Sequence, residues 1–132
     1  MDEQLKEKSY AFALRVVKLY RYLKDNRKEY IISKAALNCG TEMGLLILEA
    51  ENSSTKKESD ILLKEALKKG VEAEYWLRLL KDADYITDKM YQSIEPDITE
   101  LITSLRADIK EEKKKTSLIN KGNKKINKTK TM

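Results

Sequence analysis

Histidine is absent from this sequence of 132 residues, and cysteine and proline occur only once each. Histidine is the commonest general base and the commonest protein metal ligand, so most acid–base and metal-assisted chemistry lacks its usual residue. A di-iron site built from Glu-x-x-His pairs is excluded, because no such pair can be written. A zinc site of the Cys/His type is excluded as well, since Cys39 alone cannot supply a set of ligands. We therefore expect no enzymatic activity, no cofactor and no metal, with only all-carboxylate metal sites left open.

Long hydrophobic runs and targeting signals are absent too. The aliphatic run at residues 45–48 (LLIL) is far too short to span a bilayer. The chain opens with Asp2 and Glu3, which do not fit a signal peptide. Cys39 cannot form an internal disulfide, in agreement with a reducing compartment. We expect a soluble, cytoplasmic protein that does not enter a membrane.

Apolar residues recur at helical spacing in four blocks, which predicts four helices in one domain. Only four glycines interrupt a chain that is 37% charged and 41% hydrophobic, a balance typical of helices with charged surfaces. The first helix is predicted at residues 5–25, residues 52–55 (NSST) form a loop, and Ser59 is the expected cap of the third helix. The apolar positions are Phe12, Val16, Leu19 and Leu23; then Ile32, Ala36, Cys39, Met43, Leu46 and Ala50; then Leu63, Ala66, Gly70, Ala73, Leu77 and Leu80; and finally Ile94, Ile98, Leu101, Leu105 and Ile109.

The fourth helix has a capping pair at Thr87 and Asp88, but Pro96 falls inside its apolar pattern. An interior proline removes a backbone hydrogen bond, so a kink or a late start is expected there. Short connections favour antiparallel neighbours and predict an up-down-up-down four-helix bundle over residues 1–112. Residues 113–132 have too few apolar side chains to offset the entropy of ordering, which predicts a disordered tail.

Positive charge is concentrated at the end of the chain. Residues 110–132 hold nine lysines and two glutamates, a net charge of +7, and the whole chain is +5, so the first 109 residues carry −2. Lysines with polar spacing are typical of phosphate contact, although simple solubility explains them equally well. Arg15, Lys18 and Arg21 recur every three residues on the first helix and form either a second phosphate contact or a solvated face. The predicted nucleic-acid-binding lysines of the tail are Lys113, Lys114, Lys115, Lys121, Lys124, Lys125, Lys128 and Lys130.

Gly40, Gly44 and Gly70 lie inside predicted helices, where each costs about 1 kcal/mol relative to alanine. A close approach of ligand phosphate would explain them, but close contact between helices is the favoured interpretation.

Two carboxylates and two aromatic residues lie beside the apolar stripes. Glu49 and Glu72 could share acid–base work, but ion pairing or helix registry is favoured because no nucleophile or histidine accompanies them. Tyr75 and Trp76 could stack on a base. A role in the core or in a subunit interface is favoured for this aromatic pair.

Three blocks in order resemble one known family. Residues 9–20 (SYAFALRVVKLY) are similar to the opening helix of the bacterial four-helix bundle proteins first noticed in intervening sequences of large-subunit ribosomal RNA genes. Residues 37–50 (LNCGTEMGLLILEA) resemble the second-helix signature of that family, roughly L-R-S-G-T-S-I-G-A-N-I-x-E-A. Residues 66–77 (ALKKGVEAEYWL) resemble its A-L-K-E-A-x-E-T-x-Y-W-L block.

The resemblance covers residues 9–109 and implies a bundle that assembles into a ring, typically a pentamer. Relatives include accessory proteins of diversity-generating retroelements, which work beside a reverse transcriptase and contact nucleic acid; the family includes no known enzyme. Asn38 stands where the family usually has arginine, and Leu46 where it often has asparagine, so a contact made by those positions would differ here. The signature residues that remain are Gly44, Glu49, Glu72, Tyr75 and Trp76.

Three functional hypotheses follow from these observations. The first is a non-catalytic homo-oligomer that binds RNA or DNA or acts as a scaffold, possible partners being nucleic acid, further copies of itself and a reverse transcriptase. The second is a protein–protein module that docks a partner enzyme, in which the basic tail is incidental. The third is a metalloenzyme that uses the carboxylates of Glu49 and Glu72, which we disfavour.

Overall fold

Four helices make up the computed structural model, which describes the backbone of residues 3–130 and the side chains of residues 3–109. They are α1 (Glu3–Asn26), α2 (Ile32–Glu51), α3 (Lys56–Asp82) and α4 (Asp88–Lys130). Each helix packs on the next, and α4 returns to α1, so that α1 and α3 lie on one diagonal and α2 and α4 on the other. The predicted all-α, up-down-up-down bundle is confirmed.

The core consists of the apolar stripes that the sequence predicts. The stripes of α3 and α4 are buried at every predicted position. In α2 the predicted Ile32 is only partly buried, and the stripe shifts further along the helix, because Ile47 is fully buried and Leu46 only partly. Steps of three and four residues both keep a side chain on one helix face, so a count of spacings alone does not choose between these two neighbours.

Helix α3 begins one turn earlier than predicted. The side chain of Thr55 accepts a hydrogen bond from the backbone N–H of Glu58 at 3.1 Å, which makes Thr55 the N-cap. The expectation that Ser59 caps this helix is wrong, since Ser59 lies within α3. In α4 the predicted cap is confirmed: Thr87 Oγ1 accepts from the N–H of Met90 at 3.1 Å.

Thr55→Ala is expected to lower the free energy of unfolding by about 1 kcal/mol, because the Glu58 N–H loses its partner at the helix end. Urea unfolding followed by circular dichroism measures the change. Ser59→Ala is the matched control, with an expected change within about 0.5 kcal/mol. A larger loss from Ser59→Ala than from Thr55→Ala would contradict the assignment of the cap.

A residue in the left-handed backbone conformation follows the end of α3. Asp84 has φ 65°, the N–H of Tyr85 donates to Leu80 O at 2.9 Å, and the N–H of Asp84 donates to Lys81 O at 3.0 Å. These two bonds form a Schellman motif, in which aspartate takes the position that glycine usually occupies. The motif turns the chain toward α4 without a glycine.

Pro96 lies inside α4 and leaves the carbonyl oxygen of Gln92 without its usual donor. Because α4 already begins at Asp88, the alternative of a late start is wrong. Arg15 of α1 donates from Nη1 to the carbonyl oxygen of Ser93 at 2.9 Å, on the turn that precedes the proline. A residue of the neighbouring helix therefore provides a donor where the proline weakens the hydrogen-bond ladder of α4.

Two helix-interior glycines mark close contacts between helices, as predicted. A Cβ built on Gly40 would lie 3.2 Å from Val16 Cγ2, and one on Gly70 would lie 3.0 Å from Met43 Sδ. Both positions are buried. The packing interpretation of these two glycines is confirmed, because a side chain there would push against the neighbouring helix.

The predicted boundary after residue 112 and the predicted disorder of residues 113–132 concern residues whose side chains the structure does not describe. Both stay predictions. Among the side chains that the structure describes, the buried core extends as far as Ile109.

Candidate functional site

An apolar groove runs along the outer surface between α1 and α2. We call it the α1–α2 groove; its volume is about 650 Å³. Tyr10 and Leu14 project into it from α1, and Leu45 and Leu48 from α2, all four of them exposed. Gly44 lies on its floor, where a Cβ would meet Ser9 O at 3.5 Å. The groove thus presents a continuous apolar surface to solvent.

A second depression, the α1–α4 cleft, has a volume of about 520 Å³ and a different chemistry. Its rim carries basic and hydroxyl side chains, and its floor is apolar. The rim is formed by Arg15, Lys18, Lys89 and Ser93, and the floor by Leu19, Tyr22, Ile86, Met90 and Ile94.

Arg15 is engaged by the protein itself. Its guanidinium donates to Asp97 Oδ2 at 2.5 Å and to Ser93 Oγ at 2.6 Å, in addition to the Ser93 carbonyl oxygen. A second ion pair, between Lys8 and Glu100, joins the same two helices. The predicted role of Arg15 in nucleic-acid binding stays a prediction, but the structure shows it as a clamp between α1 and α4.

The other two predicted cations of α1 are open to solvent. Lys18 and Arg21 are exposed, and neither forms an ion pair with a residue between 3 and 109. Lys18 lies on the rim of the α1–α4 cleft, whereas Arg21 does not line it. The predicted tail lysines, from Lys113 to Lys130, lie outside the described side chains.

Glu72 belongs to a polar network between α2 and α3. Lys69 Nζ lies 3.0 Å from Glu42 Oε2 and 3.7 Å from Glu72 Oε2, and Cys39 Sγ donates to Glu72 Oε2 at 3.5 Å. Burial, and then the hydrogen bond to Glu72, raise the pKa of the Cys39 thiol. The pKa of Lys69 is raised by its hydrogen bond to Glu42. The network therefore links α2 to α3, and the raised pKa favours the protonated form of the thiol.

Glu49 does not join this network. It is exposed and forms no ion pair with any residue from 3 to 109, so the buried ion pair expected for it is not observed. Cys39, the neighbour of Glu72, lies ten residues before Glu49 on the same helix, a rise of about 15 Å. The two carboxylates are too far apart to act on one substrate atom.

Tyr75 and Trp76 are neighbours with different surroundings. Trp76 packs on the core, whereas Tyr75 keeps 61% of its surface exposed. Their rings meet edge to face at 5.1 Å between centroids. Of the pair, Tyr75 offers the more exposed ring to a ligand or a partner.

The N-terminus of α2 contains an anchor that the sequence analysis missed. Glu29 is 7% exposed, and its carboxylate accepts hydrogen bonds from the N–H groups of Ile31, Ile32 and Ser33 at 2.7 to 2.9 Å. Burial by itself would raise the pKa of Glu29, but these bonds outweigh it and lower that pKa. An acidic residue shortly before a helix was the available signal.

Metal and membrane signatures are both absent from the described part of the chain. It contains no cluster of three or more acidic, cysteine or histidine residues that could hold a metal ion. None of its helices combines the length and the apolar character needed to cross a membrane.

Comparison with known proteins gives one family and a solved fold. The profile of the 23S rRNA-intervening sequence protein family matches residues 1–107. A crystal structure from Bacteroides thetaiotaomicron VPI-5482, described as a protein with unknown function from the S23 ribosomal protein family, is 42% identical and superposes with a TM-score of 0.78. The match covers 80% of this chain and 98% of that one. A search of curated proteins finds no match.

Proposed function

The chain belongs to the 23S rRNA-intervening sequence protein family, and from that premise we propose that it is a non-catalytic, homo-oligomeric protein. It binds nucleic acid or serves as a scaffold in an RNA or reverse-transcription process. The supporting observation is the segregation of charge. Residues 110–132 carry +7, whereas the preceding 109 residues carry −2. A near-neutral bundle joined to a basic segment has the charge distribution of a protein that contacts phosphates outside its core.

The α1–α2 groove supports self-assembly. Tyr10 is 73% exposed and Leu45 is 55% exposed, and both belong to one apolar surface. Such surfaces on isolated chains commonly mark protein–protein contacts. A second copy is the occupant we propose, and the ring of five implied by the family resemblance is the assembly we carry forward.

Assembly makes weak basic segments effective. In a ring each copy contributes one lysine-rich segment, and once one of them binds, the others act at high effective concentration. Binding of this kind depends on phosphate rather than on base sequence, so affinity falls steeply as salt rises. This protein is proposed to act in the cytoplasm, where a single unpaired cysteine stays reduced.

Truncation after Glu112 is expected to weaken binding to RNA and DNA about tenfold or more at low salt, because most of the phosphate contacts are lost. Fluorescence anisotropy at two salt concentrations measures the affinity and its salt dependence. Circular dichroism and native mass serve as controls, since every core residue whose burial the structure describes lies at or before Ile109 and is retained. Unchanged affinity would remove the lysine-rich segment from the mechanism.

The α1–α2 groove also fits the alternative function, a module that docks a partner polypeptide such as a reverse transcriptase. An apolar groove between two helices accepts the apolar face of a third helix. A protein partner retained by the chain after nuclease treatment favours this alternative. Native mass with and without added nucleic acid separates the two functions, because only the first predicts a nucleoprotein complex.

A further inference from the structure

Two lysines on the rim of the α1–α4 cleft lack an acidic partner. Lys18 on α1 and Lys89 on α4 are exposed, and neither forms an ion pair with residues 3–109. Asp97 and Glu100, two acids of α4 that face α1, are bound by Arg15 and Lys8, respectively. Asp88 precedes Lys89 in the first turn of α4 and forms no ion pair with it. The two ammonium groups are therefore available to an anion.

The positive rim extends along α1. The sequence from Lys8 to Lys24 contains five cationic residues and no aspartate or glutamate. Lys8 and Arg15 are used by Glu100 and Asp97 of α4, respectively. The remaining cations of this stretch are left to solvent within the described part of the chain, which gives the cleft a positive approach from the α1 side.

The floor of the cleft is suited to a flat apolar group. Leu19, Tyr22 and Met90 are partly buried against the core, and Ile94 closes the floor beneath them. A volume of about 520 Å³ lies within the size range of small-ligand sites. Tyr22 supplies an aromatic ring and Met90 a polarizable thioether, and both pack favourably against a planar aromatic system.

We propose that the α1–α4 cleft binds one nucleotide of a single-stranded nucleic acid, with a phosphate between Lys18 and Lys89 and the base against Tyr22 and Met90. This inference rests on the proposed function and specifies where on the bundle a strand is bound. A base that is stacked and paired in a duplex cannot enter the cleft, so single strands are preferred. A free nucleotide has the same chemistry and competes for the same site, without the added contacts along a strand.

The double variant Lys18→Glu with Lys89→Glu tests the cleft in the full chain. Its affinity for a labelled 12-nucleotide single strand is expected to fall about tenfold, and the log–log salt slope to decrease by about 0.7, because one single-strand phosphate contact is lost. Lys57→Glu with Lys68→Glu is the matched control, because it makes the same charge change at two exposed positions of α3, diagonal to α1. Its affinity is expected to stay within about threefold of the parent chain, since only long-range charge is altered.

Three probes give further outcomes. An abasic strand of equal length is expected to bind more weakly than the intact strand, and equal binding would overturn the placement of the base. If the cleft variant loses as much affinity for a duplex as for the single strand, the proposed preference for single strands is overturned. A nucleoside monophosphate that competes as strongly as the whole strand would show a site for free nucleotides instead.

The control separates this inference from the proposed function. Equal losses in the two double variants would reject the cleft and leave nucleic-acid binding in place. If the parent chain binds tightly and neither double variant changes its affinity, the cleft is likewise rejected and nucleic-acid binding is left in place. Absence of binding by the parent chain to every strand would reject the proposed function and the cleft together.

Discussion

Glu29→Gln is expected to lower the free energy of unfolding by about 2 kcal/mol at neutral pH. The two carboxylate oxygens of Glu29 accept from three backbone N–H groups at the start of α2, and the side chain at the N-cap position, Ile31, makes no capping bond. Glutamine has only one acceptor oxygen, and its amide NH₂ group would face the Ser33 N–H. One buried donor therefore loses its partner, and the negative charge at the helix N-terminus is lost.

The same substitution gives a pH dependence with a fixed sign. The hydrogen bonds hold the pKa of Glu29 below its ordinary value, even though burial alone would raise it. Because the pKa of Glu29 is lower in the folded state, the ionised carboxylate stabilises the protein at pH values above the unfolded-state pKa of about 4.3. This stabilisation is lost as the pH falls through the folded-state pKa. The difference in stability between the parent chain and Glu29→Gln should therefore be full at pH 7 and should shrink below pH 4.

Urea unfolding of both proteins at several pH values measures this difference. Glu65→Gln removes the same charge from an exposed position of α3 that forms no ion pair with residues 3–109, and its expected change is within about 0.5 kcal/mol. A stability difference for Glu29→Gln that stays constant down to pH 3 would show that the carboxylate charge is not the stabilising feature.

The fold was predictable because the bundle depends on the placement of apolar residues, which the sequence displays directly. The stripe from Leu63 to Leu80 is buried at each predicted position, since three- and four-residue steps keep it on one face of α3. The ends of helices were less predictable. Thr55 and Ser59 are both good capping residues, and the choice between them depends on where the backbone leaves the helical conformation.

The candidate sites were only partly predictable, because they depend on which residues of different helices become neighbours. Arg15 and Lys18 are both cationic residues of the same predicted helix, yet Arg15 forms an ion pair with Asp97 of α4 and Lys18 does not. Lys89 and Tyr22 belong to no local motif, so the sequence alone does not mark them as site residues. The α1–α2 groove arises from exposed apolar residues beside the buried stripes, and a reading of helical periodicity assigns those residues to no function.

Leu14→Glu together with Leu45→Glu is expected to convert the proposed assembly into a monomer. Leu14 is 46% exposed and Leu45 55% exposed in the single chain, so the folded bundle tolerates a charge at both positions. In an assembly through the α1–α2 groove the new carboxylates would be buried without partners, which costs several kcal/mol for each interface. The dissociation constant should then rise by a hundredfold or more, as about 2.7 kcal/mol suffices for that change.

Native mass spectrometry and sedimentation across a range of protein concentrations measure the change in assembly. Ile61→Glu with Val71→Glu is the matched control, because these side chains are 49% and 41% exposed on α3, away from the groove. The control should keep the mass of the parent assembly, since its carboxylates remain in water. If only the variant Ile61→Glu with Val71→Glu dissociates, the subunit interface lies on α3 instead. An unchanged assembly in the Leu14 and Leu45 variant would show that copies of this chain do not meet through the α1–α2 groove, which would then be left to a partner polypeptide.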